Sequence, residues 1–151
     1  MFHSFYLTSQ VISLAIYLVS AFAFYKLGRI RCINTPWLAF IPFFNLYVTG
    51  YIGDTLKYHS PQLNRYLYNV PLCYALPLLS LASNLAWRLP LIGGLAYSLC
   101  GLAVTVLSIL VYYLVFLQYA YNRRILFTVL SVIPVMGPLL ILYVLRGYHN
   151  Y

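Results

Sequence analysis

Titratable chemistry in this chain rests on very few side chains. Asp54 is the only acidic residue, set against nine Lys/Arg, and the histidines are His3, His59 and His149. Acid–base or metal chemistry needs several such groups converging on one point. The histidines stand instead at the start, in a mid-chain loop and in the tail, and no HExxH, paired carboxylate or Ser/His/Asp arrangement occurs. Cysteines 32, 73 and 100 are odd in number and form no CxxC pair, which argues against a disulfide framework or a zinc site. Cys73 and Cys100 lie in apolar runs and read as small buried residues. Cys32 lies in a basic stretch where a palmitoyl chain could attach. The expectation is a protein that is not an enzyme and holds no cofactor or metal.

Two polar residues stand out from their apolar surroundings. Asp54 follows Gly53 and reads first as an N-cap opening a helix over Thr55–His59, where a carboxylate meets the helix dipole favourably. The alternative is an ion pair with Lys57, Arg29 or Arg31. Asn45 lies three residues after Pro42. It reads first as an amide satisfying carbonyls that the proline frees, and otherwise as part of a ligand or ion site at the break.

The elements that must position these residues are membrane-like. Of 151 residues, 64% are hydrophobic, 19% aromatic and 7% charged, against about 25% charged in a soluble domain. Such a chain cannot solvate its own surface in water, whereas a bilayer removes that requirement. The net charge of +8 could serve nucleic acid or anionic lipid, but the cations are scattered between apolar runs rather than gathered on a solvated face. That pattern excludes nucleic acid and suits the cytoplasmic ends of spans.

Five runs follow one another in a single membrane domain, residues 1–151. Spans are expected near 5–27, 66–87 and 91–121. The run 33–53 carries Pro36, Pro42, Asn45 and Gly50, and the run 125–145 carries Pro134-Val135-Met136-Gly137-Pro138. Proline inside a helix removes a backbone bond and clashes with the preceding turn. Irregular backbone at membrane depth is tolerated only where protein or water satisfies it. Both runs therefore read as Pro-broken, re-entrant or interfacial segments. Pro71 and a kink at Pro77 mark the second span, and Trp87 with Arg88 its outer boundary. In the third, Gly94, Ser98, Gly101 and Thr105, continued by Ser108, form a small-residue stripe of the kind that lets membrane helices approach closely. The seventeen tyrosines and two tryptophans read as interfacial anchors and packing groups.

Charge decides among topologies. With three crossings, Lys26, Arg29, Arg31, Lys57, Arg65, Arg123, Arg124 and Arg146 share the cytoplasmic side and Arg88 alone lies outside. If the last run also crosses, the split is seven to two, and with five crossings it is five to four. The positive-inside bias favours three crossings plus two broken segments, with four crossings next, and an outside N-terminus. The fold class expected is all-α, a polytopic helical membrane protein of three to four transmembrane helices with one or two Pro-broken segments. A weak internal repeat is also visible. Arg31 and Arg123 each precede an Ile-Pro pair (Ile41-Pro42 and Ile133-Pro134), and a Tyr-Val pair follows in each run.

The segment from Asn34 to Asp54 resembles a signature of uncharacterised small membrane proteins of Gram-positive, clostridia-type bacteria. That signature reads Pro-Trp-Leu-Ala-aromatic-Ile-Pro-x-x-Asn, then Gly-x-Ile-x-Asp, and is matched by Pro36, Trp37, Leu38, Ala39, Ile41, Pro42, Asn45, Gly50, Ile52 and Asp54. The tail departs from the group, which often ends in acidic, Gly-containing residues, whereas here it reads Arg-Gly-Tyr-His-Asn-Tyr. The resemblance implies a bacterial plasma membrane protein and supplies no activity. It marks Pro36, Trp37, Pro42, Asn45, Gly50 and Asp54 as candidate structural or functional residues. The leading expectation is a subunit that packs with itself or with a larger membrane partner. The alternative is a small transporter or channel subunit using the broken segments as a solute site.

Overall fold

A computed structural model describes residues 2–86, 88, 93–133 and 135–148. Every regular element among them is helical. The α-helices are α1 (Phe2–Ile30), α2 (Phe44–Leu56), α3 (Pro61–Leu67), α4 (Leu72–Ala86), α5 (Gly93–Tyr119), α6 (Arg124–Leu130) and α7 (Met136–Tyr148). Single 3-10 turns at Pro36–Phe40, Lys57–His59 and Tyr121–Arg123 join them. Trp87, Pro134 and His149, which figure in the sequence reading, lie outside the described residues.

Two helices are long and apolar enough to cross a membrane, Ser9–Ile30 and Gly93–Tyr119. A third crossing is available if α3 and α4 act as one bent span, with 53° between them. The expected span 66–87 maps onto this pair only in part. Residues 66 and 67 finish α3, and the helix that follows starts at Leu72. Pro71 explains this, because it lacks an N–H and steers Val70 away from helical geometry. Pro77, by contrast, sits inside α4 without ending it.

The end of α1 is set by Cys32, whose φ of 54° is left-handed. The N–H of Ile33 donates to Gly28 O at 3.0 Å and that of Cys32 to Arg29 O at 3.1 Å. These are the paired bonds of a Schellman cap, a place usually held by glycine. Proline at the first position then starts the turn Pro36–Phe40, which packs back on α1 and brings Pro36 close to Gly28.

The core forms where α2 lies among its neighbours. Val48, Ile52 and Leu56 pack with Leu72 and Leu76 of α4, Val111, Leu114, Val115 and Phe116 of α5, and Phe24 and Leu27 of α1. From the last helix, α7, Ile141 and Leu145 close the cluster against α1 and α5. Contact this close needs glycine. A Cβ on Gly50 would run into the backbone of Leu72 and Cys73, and one on Gly53 would lie 2.8 Å from Val111 Cγ2. A Cβ on Gly137 of α7 would likewise lie 2.9 Å from the Tyr112 ring.

Candidate functional site

The signature segment breaks at residues 41–43. Ile41, held extended before Pro42 at φ −94° and ψ 126°, behaves as a residue preceding proline should. Phe43 then takes φ 68° and ψ −46°, close to the strained classic γ-turn, and α2 starts at the next residue. The carbonyl that Pro42 would leave unpaired in a continuous helix is that of Leu38. It accepts instead from the N–H of Ile41 at 3.1 Å. The backbone thus heals its own break, and the expected repair by the Asn45 amide is corrected. Asn45 donates its backbone N–H to Ile41 O at 3.0 Å, and Thr49 Oγ1 donates to Asn45 O at 2.8 Å, with Asn45 Oδ1 at 3.4 Å.

Asn45 instead helps to line a cavity of about 390 Å³ beside the break. Four helices contribute to it: Tyr17 and Phe24 from α1, Asn45, Leu46 and Thr49 from α2, Ser80 from α4, and Ser108 and Tyr112 from α5, with Pro42 and Phe43 at its edge. Its polar groups are hydroxyls and one amide, and none carries a charge at neutral pH. Thr49 Oγ1 and Ser108 Oγ are occupied by carbonyls of their own helices, whereas the buried phenol oxygen of Tyr17 has no partner among the described residues. Such a cavity can hold water or an uncharged polar solute, and it contains no acid–base pair.

Asp54 forms the expected ion pair with Lys57 and adds a task to it. It lies near the end of α2, so the N-cap reading over Thr55–His59 is corrected. Its carboxylate caps another helix, with the N–H of Leu72 donating to Oδ1 at 3.1 Å and that of Cys73 to Oδ2 at 2.9 Å. These are unpaired donors of the first turn of α4, where negative charge is also favoured by the helix dipole. Lys57 Nζ closes the network, 3.0 Å from Asp54 Oδ1 and 3.5 Å from the carbonyls of Leu67 and Val70. The lysine side chain is only 7% exposed. One ion pair thereby fastens the end of α2, the end of α3 and the start of α4.

The first broken segment also closes on itself at this end. Arg31 Nη2, just past α1, donates to Thr55 O at 3.2 Å, so the chain entering at residue 33 returns beside its starting point. Likewise Arg123, before α6, and Arg146, near the end of α7, line one groove. Both broken segments begin and end at the same end of the bundle. Arg88 follows the far end of α4, a helix roughly 21 Å long at 1.5 Å per residue.

Within the signature, Gly50, Ile52 and Asp54 acquire distinct roles. Gly50 admits the start of α4, Ile52 is wholly buried, and Asp54 caps α4. Pro36 starts the 3-10 turn and packs on Gly28, while the Trp37 side chain is exposed. Thr49, Tyr17 and Tyr112 were not singled out by sequence reasoning, and Gly53 and Gly137 were noted only as parts of the broken runs. The Gly50-x-x-Gly53 spacing could have flagged Gly53, but the meeting of Tyr112 with Gly137 is nonlocal and leaves no local signal. From Gly94 to Thr105 the stripe on α5 is open among the described residues. A Cβ at Gly94 or Gly101 would meet none of them within 4 Å, and Ser98 and Thr105 are exposed, their hydroxyls donating to Gly94 O and Gly101 O. Among the described residues no three His, Cys, Asp or Glu side chains gather. Comparison with known proteins finds no matching family model, no matching curated protein and no matching solved structure.

Proposed function

We propose that the chain is a non-enzymatic, polytopic membrane protein that associates with a second copy of itself through the outward face of α5. The observation that carries this reading is the open stripe of Gly94, Ser98, Gly101 and Thr105. In lipid, helices associate through close packing rather than the hydrophobic effect, so small residues on a lipid-facing surface favour a second helix. Satisfied hydroxyls leave that face smooth and without a polar debt to lipid. Within this reading α1, the bent α3–α4 pair and α5 cross, and the two broken segments are re-entrant from the basic side. The return of residues 33–55 and 123–146 to one end supports it. By its resemblance to the clostridia-type group, the membrane is a bacterial plasma membrane, with the N-terminus outside and the basic loops cytoplasmic. The larger-partner version of the hypothesis uses the same face.

The test is disulfide crosslinking in native membranes, with the native cysteines replaced. Gly101→Cys and Thr105→Cys should give a dimer, and Val111→Cys, inside the core, should not. A species that stays monomeric at every α5 position contradicts self-association.

A second reading is favoured by the cavity beside the break. A hydroxyl-lined space among four helices, next to discontinuous backbone, is the setting in which transporters place a solute. Flux of uncharged polar solutes into proteoliposomes, reduced by Tyr17→Phe and Asn45→Leu, would favour it. Absence of flux for every solute leaves the association reading in place.

A further inference from the structure

The chain cannot neutralise its own cations. Nine Lys/Arg face one side-chain carboxylate, and that carboxylate is taken by Lys57. Arg123 and Arg146 belong to different segments, are both exposed, and line one groove of about 510 Å³. The groove walls continue from the two guanidinium groups onto buried Phe127, half-buried Val144 and the exposed ring of Tyr143. Arg124, beside them, is stacked on Tyr121 at 4.5 Å. A cationic rim above an apolar wall is complementary to an amphiphile with an anionic head.

We infer that the groove between Arg123 and Arg146 binds an anionic phospholipid, the arginines taking the headgroup phosphate and Phe127 and Val144 the start of an acyl chain. The inference requires only that the chain lies in a bilayer, and it is independent of association through α5. Arg is suited to phosphate because its planar fork donates two parallel hydrogen bonds. Basic pockets between membrane helices recognise lipid headgroups by this chemistry. A free anion would gain the charge contacts but leave the apolar wall uncovered, so the lipid is the occupant that uses the whole groove.

The experiment compares lipid binding by native mass spectrometry on protein purified in neutral detergent, titrated with phosphatidylglycerol or phosphatidylcholine. The wild type should retain phosphatidylglycerol preferentially. Arg123→Gln with Arg146→Gln should weaken that retention about thirtyfold, a factor of about five per lost cation. Arg65→Gln, at the same end of the bundle but outside the groove, should leave it unchanged, and Arg123→Lys with Arg146→Lys, which keeps the charge and loses the fork, should fall between the wild type and the double Gln variant. Thermal unfolding without added lipid checks that each variant is folded. Equal retention of both lipids by the wild type would overturn the proposal. So would an equal loss in Arg65→Gln, which would signal diffuse charge, or displacement of the lipid by millimolar inorganic phosphate, which would signal a free-anion site.

Discussion

Replacing Asp54 by asparagine changes one atom in the network that joins α2, α3 and α4. The carboxylate accepts from Leu72 N, Cys73 N and Lys57 Nζ, all within 3.1 Å. Asparagine offers one acceptor and turns an NH₂ toward donors, so one backbone N–H is lost to it and Lys57 keeps its charge without a counterion. Loss of one partner from a buried pair costs about 3–5 kcal/mol, and a hydrogen bond to a charged group contributes about 1.5–3 kcal/mol. Asp54 is 19% exposed, so water screens part of this, and a net loss of about 3 kcal/mol is expected. At about 2–4 °C per kcal/mol for a chain of this size, the unfolding midpoint should fall by roughly 6–12 °C. Thermal unfolding in detergent measures it. Lys57→Met in the Asp54→Asn background should recover about 1–2 kcal/mol, because the orphaned cation is gone. A midpoint within about 2 °C of wild type, or strict additivity of the two changes, would refute the network as the fastening of α4.

Other substitutions separate the fold from the outer face. Gly50→Ala drives a methyl into the backbone of Leu72 and Cys73 and should cost at least about 1–3 kcal/mol in detergent stability, whereas Gly101→Ala, which meets none of the described residues, should not lower stability and should weaken dimer crosslinking. Cys32 occupies a left-handed cap position, so Cys32→Gly should raise stability by about 1 kcal/mol, read as an increase in unfolding midpoint.

Much of the architecture could be read from composition and proline placement. Proline acts locally, so Pro42 and Pro71 announce their breaks wherever the chain folds, and long apolar runs such as 91–121 have few alternatives to helix. The Lys57 partner of Asp54, three residues on, was among the pairings the sequence offered, but its two backbone partners could not be read, because they lie eighteen and nineteen residues away on a different helix. Local rules assign a carboxylate after glycine to the helix that follows, whereas packing at Gly50 carries it to the start of α4 instead. Asn45 was misread for a related reason. A proline's lost bond was treated as a debt for a side chain, yet the 3-10 turn before it supplies the N–H of Ile41. The stripe on α5 was recognisable as a close-approach surface, but spacing alone does not say whether the approaching helix belongs to the same chain. The cavity was invisible, since its lining comes from positions scattered between Tyr17 and Tyr112.

The central claim is that both Pro-broken segments return to the side from which they start. It is tested most directly by sided labelling of single cysteines in intact cells, in a background lacking Cys32, Cys73 and Cys100. Lys57 is too buried for a reporter, so Arg65→Cys, Arg146→Cys and Arg88→Cys serve, all three at exposed positions. The account predicts that Arg88→Cys reacts with a membrane-impermeant maleimide from outside, and that Arg65→Cys and Arg146→Cys react only after the membrane is opened. Labelling of Arg65→Cys or Arg146→Cys from the same side as Arg88→Cys would contradict it, because one broken segment would then cross.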